Sequence, residues 1–325
     1  MKEKILKCLR EAEDYVSGQE LCQMFDVSRT AIWKVMNQLK EEGYVIDAVK
    51  NKGYRLVQTP DLVTAEEVES LLETSWAAWP VVYEEEQAST NQTAKMLAEQ
   101  GASHGTLVVA ERQVSGRGRR GRPWHSPKGS GIWMSILLRP QLHPMSASML
   151  TLVAAMAVYE AISSRVEGCA IKWPNDIVID GRKVCGILTE MSSELDNIHY
   201  VVIGIGINVN TDDFPVDIAS VATSMHVITG AYYKRAETIS DIWKAFEKYY
   251  DFFVQTENLV LMVDTYNQRL VNMDRRVMIE ERGHQYEGTA RGIDAEGGLL
   301  VERDDGTTTS VISGEVSVRG ILGYV

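Results

Sequence analysis

Hydrophobic residues recur at helical spacing in the first part of the chain. Ile5, Leu6 and Leu9 define one helix, and Ser17 can cap a second one over residues 18–25. Ser28 can cap a third helix over residues 29–42. Two short strands, 44–46 and 54–57, then flank a basic turn. In the third helix, four apolar residues fall on one face and are predicted to point inward: Ile32, Val35, Met36 and Leu39. This order of elements predicts a winged helix-turn-helix over residues 1–58.

The opposite face of the third helix and the tip of the hairpin are polar and basic. In a winged helix the third helix enters the major groove, and the hairpin reaches the DNA backbone. The candidate DNA-binding residues are Ser28, Arg29, Thr30, Trp33, Lys34, Asn37, Lys50, Asn51 and Lys52. Residues 1–57 hold ten Lys or Arg against nine Asp or Glu, so net charge does not separate DNA binding from a protein-interaction module. The placement of the basic residues favours DNA.

Helical and strand patterns alternate from residue 62 to residue 270, after a short linker at residues 59–61. The Asp180-Gly181 pair predicts a tight hairpin turn. The nearly continuous apolar run at 200–209 predicts a buried central strand. Helices are predicted over 65–74, 93–100, 149–166, 239–253 and 259–270, and strands over 107–112, 132–138, 177–179, 183–190 and 200–209. Residues 62–270 are therefore predicted to form a mixed α/β domain around one main sheet.

Short alternating strands replace this pattern in residues 272–325. Turn sequences at 281–283, 296–298 and 304–306 separate them. The segment predicts a small SH3-like β-barrel. The whole chain is thus expected to be an α+β multidomain protein, with domains at 1–58, 62–270 and 272–325.

Composition and charge narrow the functional classes. The net charge of −12 argues against nonspecific coating of nucleic acid. We recognise no apolar run of membrane-spanning length and no signal-peptide core, so we expect a cytoplasmic protein with no membrane partner. The four cysteines form no CxxC pair and the six histidines no HExxH motif, so we expect no metal site built from protein ligands.

One loop concentrates positive charge against this acidic average. Residues 112–159 contain seven Lys or Arg and no Asp or Glu, and residues 116–122 read Gly-Arg-Gly-Arg-Arg-Gly-Arg, here called the glycine–arginine loop. Glycine lets the backbone close on a ligand, and arginine binds carboxylate or phosphate. The loop therefore predicts capture of a small anion. A disordered RNA-binding tract is the weaker alternative, because apolar strand patterns bracket the loop closely.

The chain lacks two common nucleotide-binding motifs. No Gly-Lys dipeptide occurs, which excludes a Walker A loop, and Gly204-Ile205-Gly206 lacks the third glycine of a dinucleotide fingerprint. Three other segments contain polar residues that could belong to a binding site. They are Ser-Thr-Asn at 89–91, before a helix; Lys-Trp-Pro-Asn-Asp at 172–176; and Lys-Val-Cys-Gly-Ile-Leu at 183–188. Taken singly, each has an ordinary structural explanation as a helix cap, a turn or a solvated strand start.

Taken together with the glycine–arginine loop, these segments resemble the motifs of the biotin protein ligases. With the winged helix in front, the resemblance is to the bifunctional ligases that also repress the biotin operon, and it spans all three expected domains. It implies formation of biotinyl-5′-AMP from biotin and ATP, with release of pyrophosphate. The biotinyl group would then pass to a lysine of a biotin carboxyl carrier protein, a subunit of acetyl-CoA carboxylase.

The same resemblance implies roles for individual residues. Lys183 and Arg119 would be catalytic, at the junction of the biotin carboxylate and the α-phosphate. The implied biotin-binding residues are Ser89, Thr90, Asn91, Gln113, Gly116, Arg117, Gly118, Arg119, Lys183 and Gly186. The implied ATP-binding residues are Arg119, Trp124, Lys172, Asn175, Asp176, Lys183 and Asn208. Mg²⁺ would arrive with ATP and lie near Asp176, and apolar walls are expected from Trp133, Ile187 and Ile205.

Regulation is also implied by the resemblance. Biotinyl-5′-AMP would act as corepressor, favouring a homodimer that binds operator DNA. Two alternatives stay open. A metabolite-sensing transcription factor without catalysis would need the binding residues but no cation at a reacting centre. A lipoate-attaching relative would need a long acyl slot, for which the winged helix and the glycine–arginine loop are a poorer fit.

Overall fold

The N-terminal part of the chain folds into three helices followed by a β-hairpin. The computed structural model describes residues 1–281, 284–312 and 316–320. Ser17 caps the second helix in a reciprocal capping box with Glu20, and Ser28 accepts a hydrogen bond from the Ala31 N–H at the start of the third. The elements are α1 (Lys2–Glu11), α2 (Gly18–Phe25), α3 (Arg29–Glu41), β1 (Val45–Val49) and β2 (Gly53–Gln58). The predicted winged-helix elements are confirmed, including the inward face of α3.

A seven-stranded sheet forms the centre of the molecule within the described residues. Its order is β3-β4-β5-β9-β8-β7-β6, and every neighbouring pair is antiparallel except β3 with β4. The strands are β3 (Val81–Gln87), β4 (Leu107–Gln113), β5 (Gly131–Leu138), β6 (Cys169–Lys172), β7 (Asp176–Ile179), β8 (Arg182–Glu194) and β9 (Asn197–Asn208). β9 lies fourth of the seven strands, which confirms the prediction of a buried central strand. The edge strands β3 and β6 were not predicted.

Helices cover both faces of this sheet. α6 and α8 pack together over one face, and α5 covers the other through Ala94 and Ala98 against Leu137 and Val202. The helices are α4 (Ala65–Leu71), α5 (Thr90–Glu99), α6 (Leu150–Ser163), α7 (Met225–Thr229), α8 (Arg235–Thr256) and α9 (Val263–Arg269). α4 ends earlier than predicted, α5 begins earlier, and a 3-10 turn at Pro144–Met149 precedes α6. α7 was not predicted.

One segment corrects the expectation that no apolar run is long enough to span a membrane. Pro144–Ser163 is 20 residues long with a mean hydropathy of 1.6, which is enough by length and composition to cross a membrane. Most of it is buried inside the protein, however, where α6 packs between the sheet and α8. Its apolar character is therefore that of a core helix.

The last part of the chain forms a small antiparallel sheet, in the order β13-β12-β11-β10-β14. The strands are β10 (Arg276–Glu281), β11 (His284–Ile293), β12 (Leu299–Glu302), β13 (Thr308–Val311) and β14 (Val316–Gly320). The predicted turns at 296–298 and 304–306 join successive strands. Arg282 and Gly283 of the third predicted turn, and residues 321–325, lie outside the described residues.

The segment between the winged helix and the central sheet is anchored by a buried arginine. Arg235, at the start of α8, is 1 % exposed and donates to the Asp61 carboxylate and carbonyl. It also donates to both carboxylate oxygens of Glu111 and to the Gly131 carbonyl. Glu111 in turn accepts from the Gly129 N–H. Residues 59–61, predicted only as a linker, are thus fixed to the ends of β4 and β5.

Candidate functional site

A cavity of about 630 Å³ lies over the middle of the seven-stranded sheet. Its walls come from the start of α5, the glycine–arginine loop, the turn at 172–176, β8, β9 and residues 214–222. It brings together these predicted site residues: Ser89, Thr90, Asn91, Gln113, Arg117, Gly118, Arg119, Trp124, Lys172, Asn175, Asp176, Lys183, Gly186 and Asn208. Residues that are far apart in sequence therefore share one site, as the prediction required, although their individual roles stay predictions.

Two of the predicted residues do not line this cavity. Gly116 lies behind the wall, where an added Cβ would come within 2.8 Å of the Trp124 carbonyl oxygen. Trp133 was expected to form an apolar wall, and this is wrong. Its side chain is fully buried beside Gly131, and its indole N–H donates to the Pro127 carbonyl. The apolar walls include Ile187 and Ile205, as expected.

At the start of α5, buried polar side chains form a continuous network. The Ser135 hydroxyl lies 2.7 Å from the Thr90 hydroxyl and 2.6 Å from Asn91 Oδ1. Asn91 Nδ2 donates to Glu190 at 2.7 Å, so the protein itself engages both ends of this amide. Gly204 makes room for it, since a Cβ there would lie 2.0 Å from Asn91 Oδ1. The network gives one end of the cavity a fixed set of donors and acceptors.

Cations and amides meet at a junction in the middle of the cavity. Lys183 Nζ lies 2.6 Å from Asp176 Oδ1, and Asn175 Nδ2 donates to the same oxygen at 3.1 Å. Arg119 Nη1, from the glycine–arginine loop, donates to Asn175 Oδ1 at 3.0 Å. Burial lowers the pKa of the Arg119 guanidinium, and the nearby Asp176 opposes that effect. Arginine nevertheless stays charged near neutral pH, so two cations from separate elements converge here.

The hairpin of β7 and β8 explains how Lys183 reaches this point. Asp180 and Gly181 both have positive φ, at 48° and 75°, which suits the two central positions of a tight hairpin turn. The register shifts between Ile177 and Val178, a bulge that re-aims the side chains on the strand. The Lys183 backbone is also held from the far side, since its N–H donates to the Val221 carbonyl at 2.7 Å.

Trp124 forms part of the cavity wall and packs against the backbone of β8 and β9. Its ring centroid lies 5.2 Å from Lys183 Nζ, and the glycines at 186 and 206 provide the space for the indole. A Cβ on Gly206 would fall 2.4 Å from Trp124 Nε1. That indole N–H is buried and has no hydrogen-bond partner among the described residues. An unpaired buried donor is costly, and this one packs directly against Gly206.

Comparison with known proteins agrees with this geometry. Family models match residues 2–55 (HTH domain), 83–208 (biotin/lipoate A/B protein ligase family) and 273–319 (biotin protein ligase C terminal domain). The bifunctional ligase/repressor BirA of Bacillus spizizenii is 40% identical over 296 residues, covering 90% of this chain and 91% of that protein. The chain belongs to the bifunctional ligase/repressor family. A second member of that family, BirA of Escherichia coli, is 28% identical over 97% of this chain and 96% of its own length.

A solved ligase supports the fold assignment. The biotin protein ligase of Aquifex aeolicus, in complex with biotin and ATP, has a TM-score of 0.66 and 31% identity to this chain. The match covers 74% of this chain and 98% of the Aquifex protein.

The winged helix presents its predicted DNA face to solvent. Arg29, Thr30 and Lys34 are exposed on α3, and Trp33 is 57% exposed beside them. Lys50, Asn51 and Lys52 are exposed at the tip of the hairpin. Asn37 is half-buried, and the Ser28 hydroxyl is occupied in capping α3. The remaining residues are exposed on α3 and at the hairpin tip, and apart from Trp33 they are polar or basic.

Several residues at the ligase cavity were missed by sequence reasoning. Ser135 is a single serine within the apolar run of β5, and the sequence gives no sign of its polar contacts. Residues 212–222 have neither helical nor strand periodicity, so no element was predicted there. The cavity-wall residues that no sequence motif indicated include Met134, Phe214, Ile218, Val221 and Ala222.

Proposed function

We propose that this protein joins biotin to ATP to form biotinyl-5′-AMP, and then transfers the biotinyl group to a lysine of a biotin carboxyl carrier protein. In the first step a carboxylate oxygen of biotin bonds to the α-phosphorus, and the bond from that phosphorus to the pyrophosphate oxygen breaks. In the second step the lysine amine attacks the acyl carbon, AMP leaves, and the amine loses a proton as the amide forms.

The observation that carries this proposal is the junction of Lys183, Asp176, Asn175 and Arg119. Two anions must approach within bonding distance in the first step, and their mutual repulsion raises the barrier. Positive groups already placed at the meeting point lower it. Asp176 pairs with the Lys183 ammonium at 2.6 Å, and that ammonium can turn toward the incoming anions. A protein that only senses a metabolite has no need of such a cationic junction.

One side of the junction would bind biotin, and the other side would bind ATP. Thr90, Gln113 and their neighbours form the polar end for the ureido ring of biotin, while Ile187 and Ile205 face its apolar part. Trp124 and Asn208 would lie beside the adenine and ribose, and Lys172 beside the phosphates. Asp176 supplies a carboxylate of the kind that Mg²⁺ prefers, so it would hold an ion that ATP brings. That ion would neutralise phosphate charge.

The loop also suits a reactive intermediate. Biotinyl-5′-AMP is a mixed anhydride that water hydrolyses, so a lid of glycine and arginine that closes over it would preserve it. Loss of the close packing that Gly116 allows, or of the Arg117 and Arg119 charges, would therefore expose the intermediate.

The regulatory role belongs to the same proposal. Biotinyl-5′-AMP would act as corepressor, promote a homodimer and so present two α3 helices to an operator, in the cytoplasm. The exposed basic face of α3 and the hairpin tip supports DNA binding. We also propose the domain limits 1–58, 62–270 and 272–325, on the basis of the change from helices with a hairpin, to a mixed sheet, to a small antiparallel sheet.

Mass spectrometry of a carrier domain tests the activity. A recombinant biotin carboxyl carrier domain is incubated with the protein, biotin and Mg-ATP, beside a carrier whose acceptor lysine is changed to arginine. The proposal predicts a mass increase of one biotinyl group on the lysine carrier alone. No increase with biotin, together with an increase when lipoate replaces it, would assign the protein to lipoate attachment instead.

A further inference from the structure

Ser126, just beyond the glycine–arginine loop, connects two parts of the cavity. It is 5% exposed and lies within hydrogen-bonding distance of both Gln113 and Trp124. Gln113 belongs to the polar end of the cavity, while Trp124 forms part of its wall. Nothing in the proposed reaction uses this hydroxyl directly.

The orientation of the Gln113 amide follows from its neighbours. The Thr90 backbone N–H, which can only donate, lies 2.8 Å from Gln113 Oε1, and the Thr90 hydroxyl lies 3.2 Å from the same atom. That atom must therefore be the carbonyl oxygen, and Nε2 must face the other way. There it donates to the Ser126 hydroxyl at 3.0 Å.

The direction of the next hydrogen bond is fixed in turn. Because Ser126 Oγ accepts from Gln113, its own hydrogen is left to donate to the Trp124 carbonyl at 3.2 Å. Trp124 is held at the base of the loop by its N–H, which donates to the Gly116 carbonyl at 2.9 Å. A Cβ on Gly116 would collide with this group of atoms, at 2.8 Å from the Trp124 oxygen and 2.9 Å from Ser126 Oγ. The backbone therefore passes closely enough to bring the lid and the amide together.

We infer that Ser126 is a positioning residue, which fixes the Gln113 amide for the urea group of biotin and ties that amide to the closed position of Trp124. A primary amide has two N–H groups. One is held by Ser126, while Thr90 donates to the amide oxygen, so the side chain of Gln113 has one set orientation where it lines the cavity. A urea group, which has both N–H donors and a carbonyl acceptor, can match an amide that is held in this way. The Ser126 hydroxyl then contributes both to recognition of the urea, through Gln113, and to closure of the lid, through Trp124. The inference rests on the proposed function, since it assumes that biotin occupies the cavity.

Removal of the hydroxyl tests this role. In full-length Ser126→Ala, a buried amide N–H loses its acceptor, so the dissociation constant for biotin measured by calorimetry should rise about tenfold. The KM for ATP should rise less than the dissociation constant for biotin, because Ser126 contacts the Trp124 carbonyl and not the indole that would lie beside the nucleotide. Biotinyl-5′-AMP should also dissociate faster, because the Trp124 carbonyl loses its donor. Ser126→Thr, which keeps the hydroxyl, should restore biotin affinity, and Ser115→Ala, an exposed serine just before the loop, should match the wild type.

A double-mutant cycle separates positioning from a general structural effect. If Ser126 acts through Gln113, Ser126→Ala should weaken biotin binding no further once Gln113→Ala is present. Additive losses, or an unchanged biotin affinity in Ser126→Ala, would overturn the inference. A wild-type protein that does not bind biotin would instead overturn the proposed function, so the two failures are distinguishable.

Discussion

Replacement of Arg235 by methionine should destabilise the central domain and loosen its connection to the winged helix. All five N–H groups of the guanidinium are used: Nε donates to Asp61 at 2.9 Å, Nη1 to Glu111 at 2.9 Å and Gly131 at 3.2 Å, and Nη2 to Asp61 and Glu111 at 3.0 and 3.1 Å. Methionine fills a similar volume without any donor. Glu111, which is 5% exposed, would then keep, among the described residues, only the Gly129 N–H as a hydrogen-bond partner.

The expected loss follows from the charge that is left behind. Breaking a buried ion pair by removing one partner typically costs about 3–5 kcal/mol, because the other charge stays buried without compensation. Glu111 meets this condition, whereas the Asp61 side chain is 28% exposed and can recover water. Most of the loss should therefore come from Glu111. Neutralising that residue in the double variant Arg235→Met/Glu111→Gln should recover at least half of it, because the glutamine oxygen can still accept from Gly129.

Urea unfolding followed by tryptophan fluorescence measures the effect. Trp133, Trp173 and Trp243 are buried in the central domain, so the signal reports on its unfolding. The single variant should show a lower free energy of unfolding by about 3–5 kcal/mol, and the double variant should be intermediate. If the double variant loses at least as much stability as the two single variants combined, then the buried charge of Glu111 is not the cause.

Four other variants test the site and the DNA face. Lys183→Ala should abolish pyrophosphate release from biotin and ATP, because the carboxylate and the α-phosphate then lack a shared cation; release at the wild-type rate would exclude this role. Arg119→Ala should speed the dissociation of preformed biotinyl-5′-AMP in a stopped-flow chase, while an unchanged rate would show that the loop arginine does not retain the intermediate. Gly206→Ala places a Cβ 2.4 Å from Trp124 Nε1 and must displace the indole, so the KM for ATP should rise about tenfold; an unaltered KM would separate Trp124 from the nucleotide. Lys34→Ala should weaken operator binding and lower the slope of log affinity against log salt by about one, and an unaltered slope would place Lys34 away from phosphate.

Local rules of the backbone account for what the sequence predicted well. Ser17 and Ser28 mark helix starts because a short polar side chain satisfies the free N–H groups there, and both caps form. Asp180-Gly181 marks a hairpin because both residues tolerate positive φ. The apolar run at 200–209 marks a central strand because it must be covered on both faces. Each of these signals depends on only a few neighbouring residues, so it can be recognised from a single sequence.

Strand β3 was not predicted, because its position at the edge of the sheet allows a pattern that is not apolar. Glu84, Glu85 and Glu86 interrupt its apolar pattern, and they are tolerated because β3 lies at the edge of the sheet, where their side chains reach solvent. Residues 212–222 were missed for a different reason. They form part of the cavity wall through irregular backbone, whose course is set by contacts with β8 such as the Lys183 N–H to the Val221 carbonyl.

Polar contacts between residues far apart in sequence were also not predicted. Asp61 reads as part of a linker, yet its partner Arg235 lies 174 residues away. Ser135 reads as a small residue in a strand, yet it joins Thr90 to Asn91. The members of the candidate site were chosen through family resemblance, and the fold supplies what motifs do not contain: which atom of each side chain faces which partner.

Formation of biotinyl-5′-AMP in the absence of any carrier tests the central claim most directly. The protein is mixed with biotin and Mg-ATP, the products are extracted, and the adenylate and pyrophosphate are quantified together by mass spectrometry and a coupled assay. The account predicts close to one biotinyl-5′-AMP retained per chain, with equal pyrophosphate. Biotin and ATP that bind but yield neither product would contradict the claim that the Lys183–Arg119 junction brings the two anions together.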